Sequence, residues 1–231
     1  MFGDNLDAKG GFAELAVAPA AVLAHKPAKL SFVEASAIPQ AAAIALRGTR
    51  DVEASSRVLI NGAGGGSGSL AIQVAKAAGA HVTAVDNDRK LDFMRTLGAD
   101  DVIDYRREDF TRVREPFDLI LDLVAHRSVF AYRRALAPGG RYLCVGGSVR
   151  TLLRVVTLGA LLGRATGRRM GLLAVKEGPE QFGPLTDLVL DGDVALHIDR
   201  TFPLDATPAA LEHVGEGRAL GKAVVHIADL D

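Results

Sequence analysis

A doubly wound parallel α/β sheet is the fold this sequence predicts, and three observations carry it. Short apolar runs suited to buried parallel strands, at 58–60, 81–85, 117–123 and 141–145, alternate with segments of helical periodicity. Between the first run and the first of those helices, Gly62, Gly64, Gly65, Gly66 and Gly68 crowd a single turn, where Cβ atoms would keep a ligand away. The second run then closes on an acid, Asp86.

The stretch 57–89 therefore reads strand, glycine-rich turn, helix, strand. Leu70, Ile72, Val74, Ala75 and Ala78 fall on helical spacing, and Gly79 stands where a C-cap glycine belongs. This layout matches a dinucleotide-binding βαβ unit of the Rossmann type. Residues Ala63, Gly64, Gly65, Gly66, Ser67 and Gly68 would offer backbone N–H groups and a helix dipole to a pyrophosphate. Asp86, on the order of 20 residues further on, would accept hydrogen bonds from the adenosine ribose. The spacing is not G-x-G-x-x-G but Ala63-x-Gly65-x-x-Gly68, or Gly62-x-x-Gly65-x-x-Gly68. No Gly-Lys-Ser/Thr follows, which excludes the phosphate loop of nucleoside triphosphatases.

Composition narrows the classes. The chain has 231 residues, 48% hydrophobic and 24% charged, enough to bury a real core. A formal net charge of -1 gives no reason to expect a nucleic-acid partner. Cys144 is the single cysteine, so there is neither a disulfide framework nor a cysteine zinc cluster, and the histidines lack metal-ligand spacing. No apolar run is long enough to span a bilayer, and no signal-peptide pattern opens the chain; a cytoplasmic protein is expected.

The ends of the chain carry a more specific signal. Gly11-Phe12-Ala13-Glu14, then Lys26-Pro27-x-x-Leu30-Ser31-Phe32-x-Glu34-Ala35-x-Ala37-Ile38-Pro39, resembles the middle of medium-chain dehydrogenases/reductases, in particular the zinc-independent quinone oxidoreductases. In that family the phrase closes a GroES-like β-rich catalytic domain and leads into the nucleotide-binding domain. The resemblance covers nearly every residue here but only about two thirds of a full family member. It implies three parts: 1–35, the end of the GroES-like domain; 36–177, the NAD(P)-binding Rossmann domain; and 178–231, the return to the catalytic domain. With most of that domain's strands missing, open sheet edges and apolar surface predict a homo-oligomer, or a piece of a longer product.

Along the chain, 12–17 reads as a strand and 34–50 as one helix with Pro39 near its start. Residues 90–97 continue a helix that Gly98 ends, and 99–105 resembles the family's third-strand phrase. Residues 128–136 form an amphipathic helix, and Pro138-Gly139-Gly140 turns the chain into the fifth strand. The segment 149–170 interleaves apolar residues with Arg150, Arg154, Arg164, Arg168 and Arg169. Its simpler reading is a helical insertion packed at a subunit or cleft surface; a basic amphipathic helix can also lie on a membrane. A sixth strand at 171–175, a helix at 180–190, a strand at 197–204, a helix at 209–215 and a strand at 221–225 complete the expectation.

Cofactor choice turns on Asp86, whose carboxylate favours NAD over NADP by repelling a 2′-phosphate. Against it stand Asn87, Arg89, Lys90 and Tyr105, where by resemblance the quinone reductases often hold that phosphate, with Arg106 adding positive charge. Leu123 and Val124 after the fourth strand, and Val145, Gly146 and Gly147 after the fifth, should flank the adenosine and nicotinamide. By the same resemblance, Ile44 stands where this branch commonly has a threonine near the nicotinamide, and Ile38-Pro39-Gln40-Ala41 lacks the cysteine with which zinc-dependent relatives bind metal. His126 reads as a surface histidine, and Cys144 as a buried strand residue. No catalytic acid or base is identified. The resemblance implies hydride transfer from NAD(P)H to a quinone, enone or similar small substrate. The alternatives are a nicotinamide-cofactor-binding module without turnover and, more remotely, an S-adenosylmethionine methyltransferase, prompted by the Phe117–Asp122 and Pro138-Gly139-Gly140-Arg141 phrases.

Overall fold

The computed structural model describes Met1 and residues 11–227. Six parallel strands form one sheet in the order β3-β2-β1-β4-β5-β6. At its centre β1 (Arg57–Asn61) pairs with β2 (His81–Asp86) on one side and β4 (Phe117–Asp122) on the other. The chain runs outward from β1 through β2 to β3 (Asp101–Asp104), then returns to lay β4 beside β1. The order reverses there, and a doubly wound sheet opens a crevice at the carboxyl ends of the strands flanking that point.

Both faces of the sheet are covered, as near-continuous apolar strands require. Strand geometry sends successive side chains to opposite faces, so Val58 and Ile60 enter one core while Leu59 enters the other. The first core is filled by α2 (Pro39–Gly48) and α3 (Gly66–Ala77), whose Leu70, Ala71, Ile72 and Ala75 are buried. Each large apolar side chain so buried contributes roughly 1.5–3 kcal/mol. Further along, α4 (Leu91–Thr96) adds Met94 to this core. The second core lies under α5 (Val129–Ala135), with Tyr132 and Tyr142 stacked at its centre, 4.4 Å between ring centroids.

Several boundaries differ from the sequence reading, each for a local reason. Residues 12–17 form no strand: they run as bends and coil, with Leu15 and Val17 exposed. The span 34–50 is not one helix but two. A Ser31/Glu34 capping box starts α1 (Phe32–Ala37). Pro39, having no N–H to donate, opens α2 as a new first turn. The Pro138-Gly139-Gly140 turn lies inside β5 (Leu136–Cys144) as a bulge, since Phe117 pairs with Leu136 and Leu119 with Arg141. Beyond β5 the basic segment is a helix ending at Ala165: α6 (Val149–Arg154), a π turn over Val155–Gly159, and α7 (Ala160–Ala165). Gly167, at φ +65°, then turns the chain into β6 (Arg169–Leu172), two residues earlier than expected.

The C-terminal part begins with α8 (Gly183–Asp191), stopped by Gly192 in the left-handed conformation; Phe182, Leu185 and Val194 join the first core. A second, two-stranded parallel sheet pairs β7 (Ile198–Pro203) with β8 (Lys222–His226) across α9 (Thr207–Gly215). It is fastened to the glycine turn: Gly221 N–H donates to Gly64 C=O at 2.9 Å, and Gly65 and Gly221 form a parallel bridge.

Candidate dinucleotide site

The glycine turn is shaped at Gly62 and Gly68 by close contacts that a side chain would break. Gly62 adopts φ +82°, and its N–H and that of Ala63 both donate to Val85 C=O, closing β1 back onto β2. Gly68 lies against the strand end; a Cβ there would come within 2.6 Å of Ala63 Cα and 2.7 Å of Ala63 O. Gly65 caps α3, and its added Cβ would touch nothing nearer than Gly62 O at 3.4 Å. Of the two sequence spacings, Gly62-x-x-Gly65-x-x-Gly68 is thus the one whose three glycines have distinct jobs: turn, open helix start and close packing. Ser67 continues the first turn of α3.

Asp86 is buried, with 7% exposure, and its carboxylate is occupied from within the protein. Oδ2 accepts from Gly64 N–H at 3.0 Å, and Oδ1 accepts from the backbone and side-chain N–H groups of Asn87 at 2.8 and 3.1 Å. Lys90 Nζ stands 3.5 Å from Oδ2, and this lysine is itself only 5% exposed. The acid at the end of β2 therefore organises the glycine turn and carries a compensating cation, rather than presenting two free oxygens to a ribose. Lys90, which the resemblance sets where a 2′-phosphate is held, is thus buried with its ammonium beside Asp86.

Between these groups lies a cleft of about 510 Å³. Gly65, Gly66, Asp86, Asn87, Lys90, Tyr105 and Val124 line it. The other candidates are not in its lining. Ala63 is fully buried, and Gly64 holds Asp86. Leu123, Val145, Gly146 and Gly147 sit at the carboxyl ends of β4 and β5, where Ala125 N–H donates to Gly146 C=O at 2.9 Å. Ile44 is buried in α2.

Four features of the cleft escaped the sequence. His126 lines it, its ring edge-on to Tyr105 at 6.1 Å and its Nδ1 3.1 Å from Val124 O. The end of α9 and the loop after it, Val214 to Ala219, form the opposite wall, held by Asn87 Nδ2 donating to Gly217 C=O at 3.0 Å. Asn61 lines the floor and donates from Nδ2 to Asp122 Oδ1 at 2.7 Å; Tyr142 Oη donates to the other oxygen at 2.9 Å. Burial raises the Asp122 carboxyl above its ordinary range, against the pull of those hydrogen bonds. Lys222, the fourth, lies beside the cleft over Gly66 and is not part of its lining. Its aliphatic stem crosses Gly66, so closely that a Cβ on Gly66 would collide with Cδ. Desolvation lowers its pKa, and it makes no ion pair among the described residues. An uncompensated lysine laid on a helix start is an arrangement that an anion would complete. Only the Gly-Lys dipeptide signalled it, 154 residues away from Gly68.

No three His, Cys, Asp or Glu side chains cluster as a metal site among the described residues. Burial pushes the Cys144 thiol up to about 11, so it offers no thiolate near neutrality.

Residues 97–225 match the family described as zinc-binding dehydrogenase. The human mitochondrial NAD(P)H oxidoreductase RTN4IP1 is 33% identical over 95% of this chain and 62% of its own length. The chloroplastic quinone-oxidoreductase QR1 of Triphysaria versicolor is 29% identical over 94% of this chain and 68% of its own. Among solved structures, the quinone oxidoreductase of Coxiella burnetii superposes with a TM-score of 0.80 at 30% identity, over 89% of this chain and 64% of that one. The chain thus spans about 62% of the length of RTN4IP1.

Proposed function

The chain belongs to the medium-chain dehydrogenase/reductase family, in its quinone-oxidoreductase-like branch, and from that premise we propose that it binds NAD(P)H and reduces a quinone, an enone or a similar small acceptor without zinc. The observation that carries this reading is the cleft at the switch point of the sheet, walled by the glycine turn on one side and the 214–221 loop on the other. Its residues fit a dinucleotide. Gly65 leaves room for a pyrophosphate, Lys222, whose stem lies over Gly66, supplies an unpaired cation beside it, and Tyr105 and His126 offer ring surfaces.

When bound, the nicotinamide supplies a hydride, and solvent supplies the accompanying proton. The protein's share is orientation and exclusion of water. Zinc independence rests on the residue types: Ile38-Pro39-Gln40-Ala41 offers no thiolate, and Cys144 is buried in β5. For the cofactor, the sequence leaned to NAD on the strength of Asp86. The internal bonds of that carboxylate and the Lys90 ammonium beside it support a different balance, in which a 2′-phosphate meets no net repulsion and NADPH binds at least as tightly as NADH. The division at 35/36 and 177/178, self-association and a cytoplasmic location belong to the same reading.

The test is titration with NADH and NADPH by nicotinamide fluorescence, followed by turnover with a quinone. Saturable binding and steady oxidation of the reduced cofactor is the expected result. Binding without turnover selects the non-catalytic module. Tight S-adenosylmethionine binding with no nicotinamide binding selects the methyltransferase.

A further inference from the structure

His126 is an exposed residue whose ring is nevertheless held on three sides. Tyr105 and Phe110 meet it edge-on, each 6.1 Å away between centroids, and Phe110 is itself only 2% exposed, against Tyr132. The third contact is Nδ1, 3.1 Å from Val124 C=O. That carbonyl is anchored in turn. Asn61 Nδ2 reaches it at 3.4 Å while donating to Asp122 Oδ1 at 2.7 Å, and the same Oδ1 lies 3.4 Å from Val124 N–H. A buried carboxyl with no cation among its partners is a costly way to hold a loop. What this one holds is cleft lining: Asn61, Val124 and His126. A carbonyl oxygen only accepts, so Nδ1 carries the ring proton. The neutral ring then keeps an acceptor lone pair at Nε2, which makes no hydrogen bond among the described residues.

On the proposed binding of NAD(P)H, the pyrophosphate lies at Gly65 and the adenosine ribose beside Asp86 and Asn87. The base then takes the remaining end of the cleft, with Tyr105, Val124 and His126 on one wall and Val214 on the other. Val124 and Val214, 57% and 53% exposed, bring apolar surface to a flat ring. Resting on that reading, we propose that His126 determines specificity for the base: its Nε2 accepts a hydrogen bond from the adenine amino group. Asn61 and Asp122 are positioning residues, which hold Val124 C=O and through it the tautomer of the ring. Hypoxanthine carries a carbonyl oxygen where adenine carries the amino group, so it would set one acceptor against another. Holding a 2′-phosphate is the competing role for His126, and the fixed tautomer opposes it, because Nε2 has no proton to donate. Arg106, over the Tyr105 ring at 5.7 Å, is the cation at that rim.

Fluorescence titration with NADH, NADPH and reduced nicotinamide hypoxanthine dinucleotide tests this. NADH is expected to bind about tenfold more tightly than the hypoxanthine analogue, the range for one hydrogen bond. His126→Phe keeps a flat ring and removes the acceptor. It should raise the NADH dissociation constant to that of the analogue and leave the NADPH-to-NADH ratio as it was. His126→Gln, whose amide oxygen can accept, should restore part of the discrimination. Nitrogen NMR of histidine-labelled protein should show His126 as the Nδ1–H tautomer, and Asn61→Ala should mix the two tautomers. Circular dichroism reports that the variants fold. Equal affinity of the unmodified chain for the adenine and hypoxanthine dinucleotides would overturn the proposal and leave the proposed function standing. So would an Nε2–H tautomer, discrimination that survives His126→Phe, or a His126→Phe variant that loses NADPH more than NADH. An unchanged tautomer in Asn61→Ala would overturn the positioning role. Absence of saturable binding by all three dinucleotides would overturn the proposed function and this proposal together.

Discussion

Lys222, the first residue of the last strand, lies across Gly66, the first residue of α3, and has no counter-charge among the described residues. Desolvation holds its pKa below the ordinary lysine value, so the unfolded chain binds the proton more readily than the native one in the alkaline range below about 10.5. Stability of the unliganded protein should therefore rise with pH across that window. Lys222→Met keeps the stem over Gly66 and removes the charge. It is expected to abolish that slope, to raise Tm at neutral pH, and to weaken dinucleotide binding about tenfold to a hundredfold, the range for one charged hydrogen bond. Unchanged affinity would remove Lys222 from the site.

Gly68 is the position where backbone meets backbone most closely. A methyl group there would press on Gly62 C=O and on Ala63, main-chain atoms that cannot swing aside as a side chain could. Gly68→Ala should cost about 1–3 kcal/mol or more by overpacking and should loosen the whole turn, so that Tm and cofactor affinity fall together. At Gly66, by contrast, the obstacle is the flexible stem of Lys222. Gly66→Ala should displace that side chain and lower affinity with a smaller change in Tm. Thermal unfolding and NADPH titration of both variants check the contrast.

Asp122 anchors the floor of the cleft, and its raised pKa gives the third prediction a sign. Burial is the dominant cause, and the hydrogen bonds from Tyr132, Asn61 and Tyr142 oppose it. The native state therefore favours the protonated carboxyl, and stability from this group is greatest at acid pH and declines as pH climbs past the unfolded value of about 3.9. Tyr142→Phe removes one donor from the carboxylate and raises its pKa further. The variant should lose about 1–3 kcal/mol near pH 7 and markedly less near pH 4. Urea unfolding at the two pH values decides it; an equal loss at both would mean that Tyr142 acts by packing on Tyr132 alone.

Strand–helix alternation and the glycine run made the sheet and its switch point legible, because both are written in adjacent residues. Gly79 and Gly98 end helices where sequence placed them, each at the positive φ that glycine tolerates. What the sequence left unread was long-range or depended on a competing local preference. The two-helix break at Pro39 needed the capping box at Ser31 to be weighed against continuous helical periodicity. The exposed run of 12–17 has the composition of a strand, but composition alone forms no ladder. Lys222, Asn61 and the 214–219 wall reach the cleft only through the Gly64–Gly221 hydrogen bond, the Asn61–Asp122 pair and the Asn87–Gly217 bond, contacts between residues separated by 61 to more than a hundred positions. His126 looked like any surface histidine until Tyr105 was placed beside it.

On the proposed reading, the balance between Asp86 and Lys90 sets cofactor choice in a way that either residue alone would misstate. With both present, the carboxylate is internally bonded and its charge is opposed at 3.5 Å. Lys90→Met leaves Asp86 as a buried carboxylate facing the ribose without its cation, so NADPH affinity should fall about tenfold more than NADH affinity. Asp86→Asn does the reverse. It frees the Lys90 ammonium, raises the preference for NADPH, and costs about 1–3 kcal/mol of stability, since an amide cannot accept from both Gly64 and Asn87 while its own N–H groups are buried. Dissociation constants of both cofactors for the two variants form a complete cycle. Opposite shifts of the NADPH-to-NADH ratio are the expected outcome; shifts in the same direction would mean that the 2′-position is read by Tyr105 and Arg106 at the rim, with the buried pair serving only to hold the glycine turn.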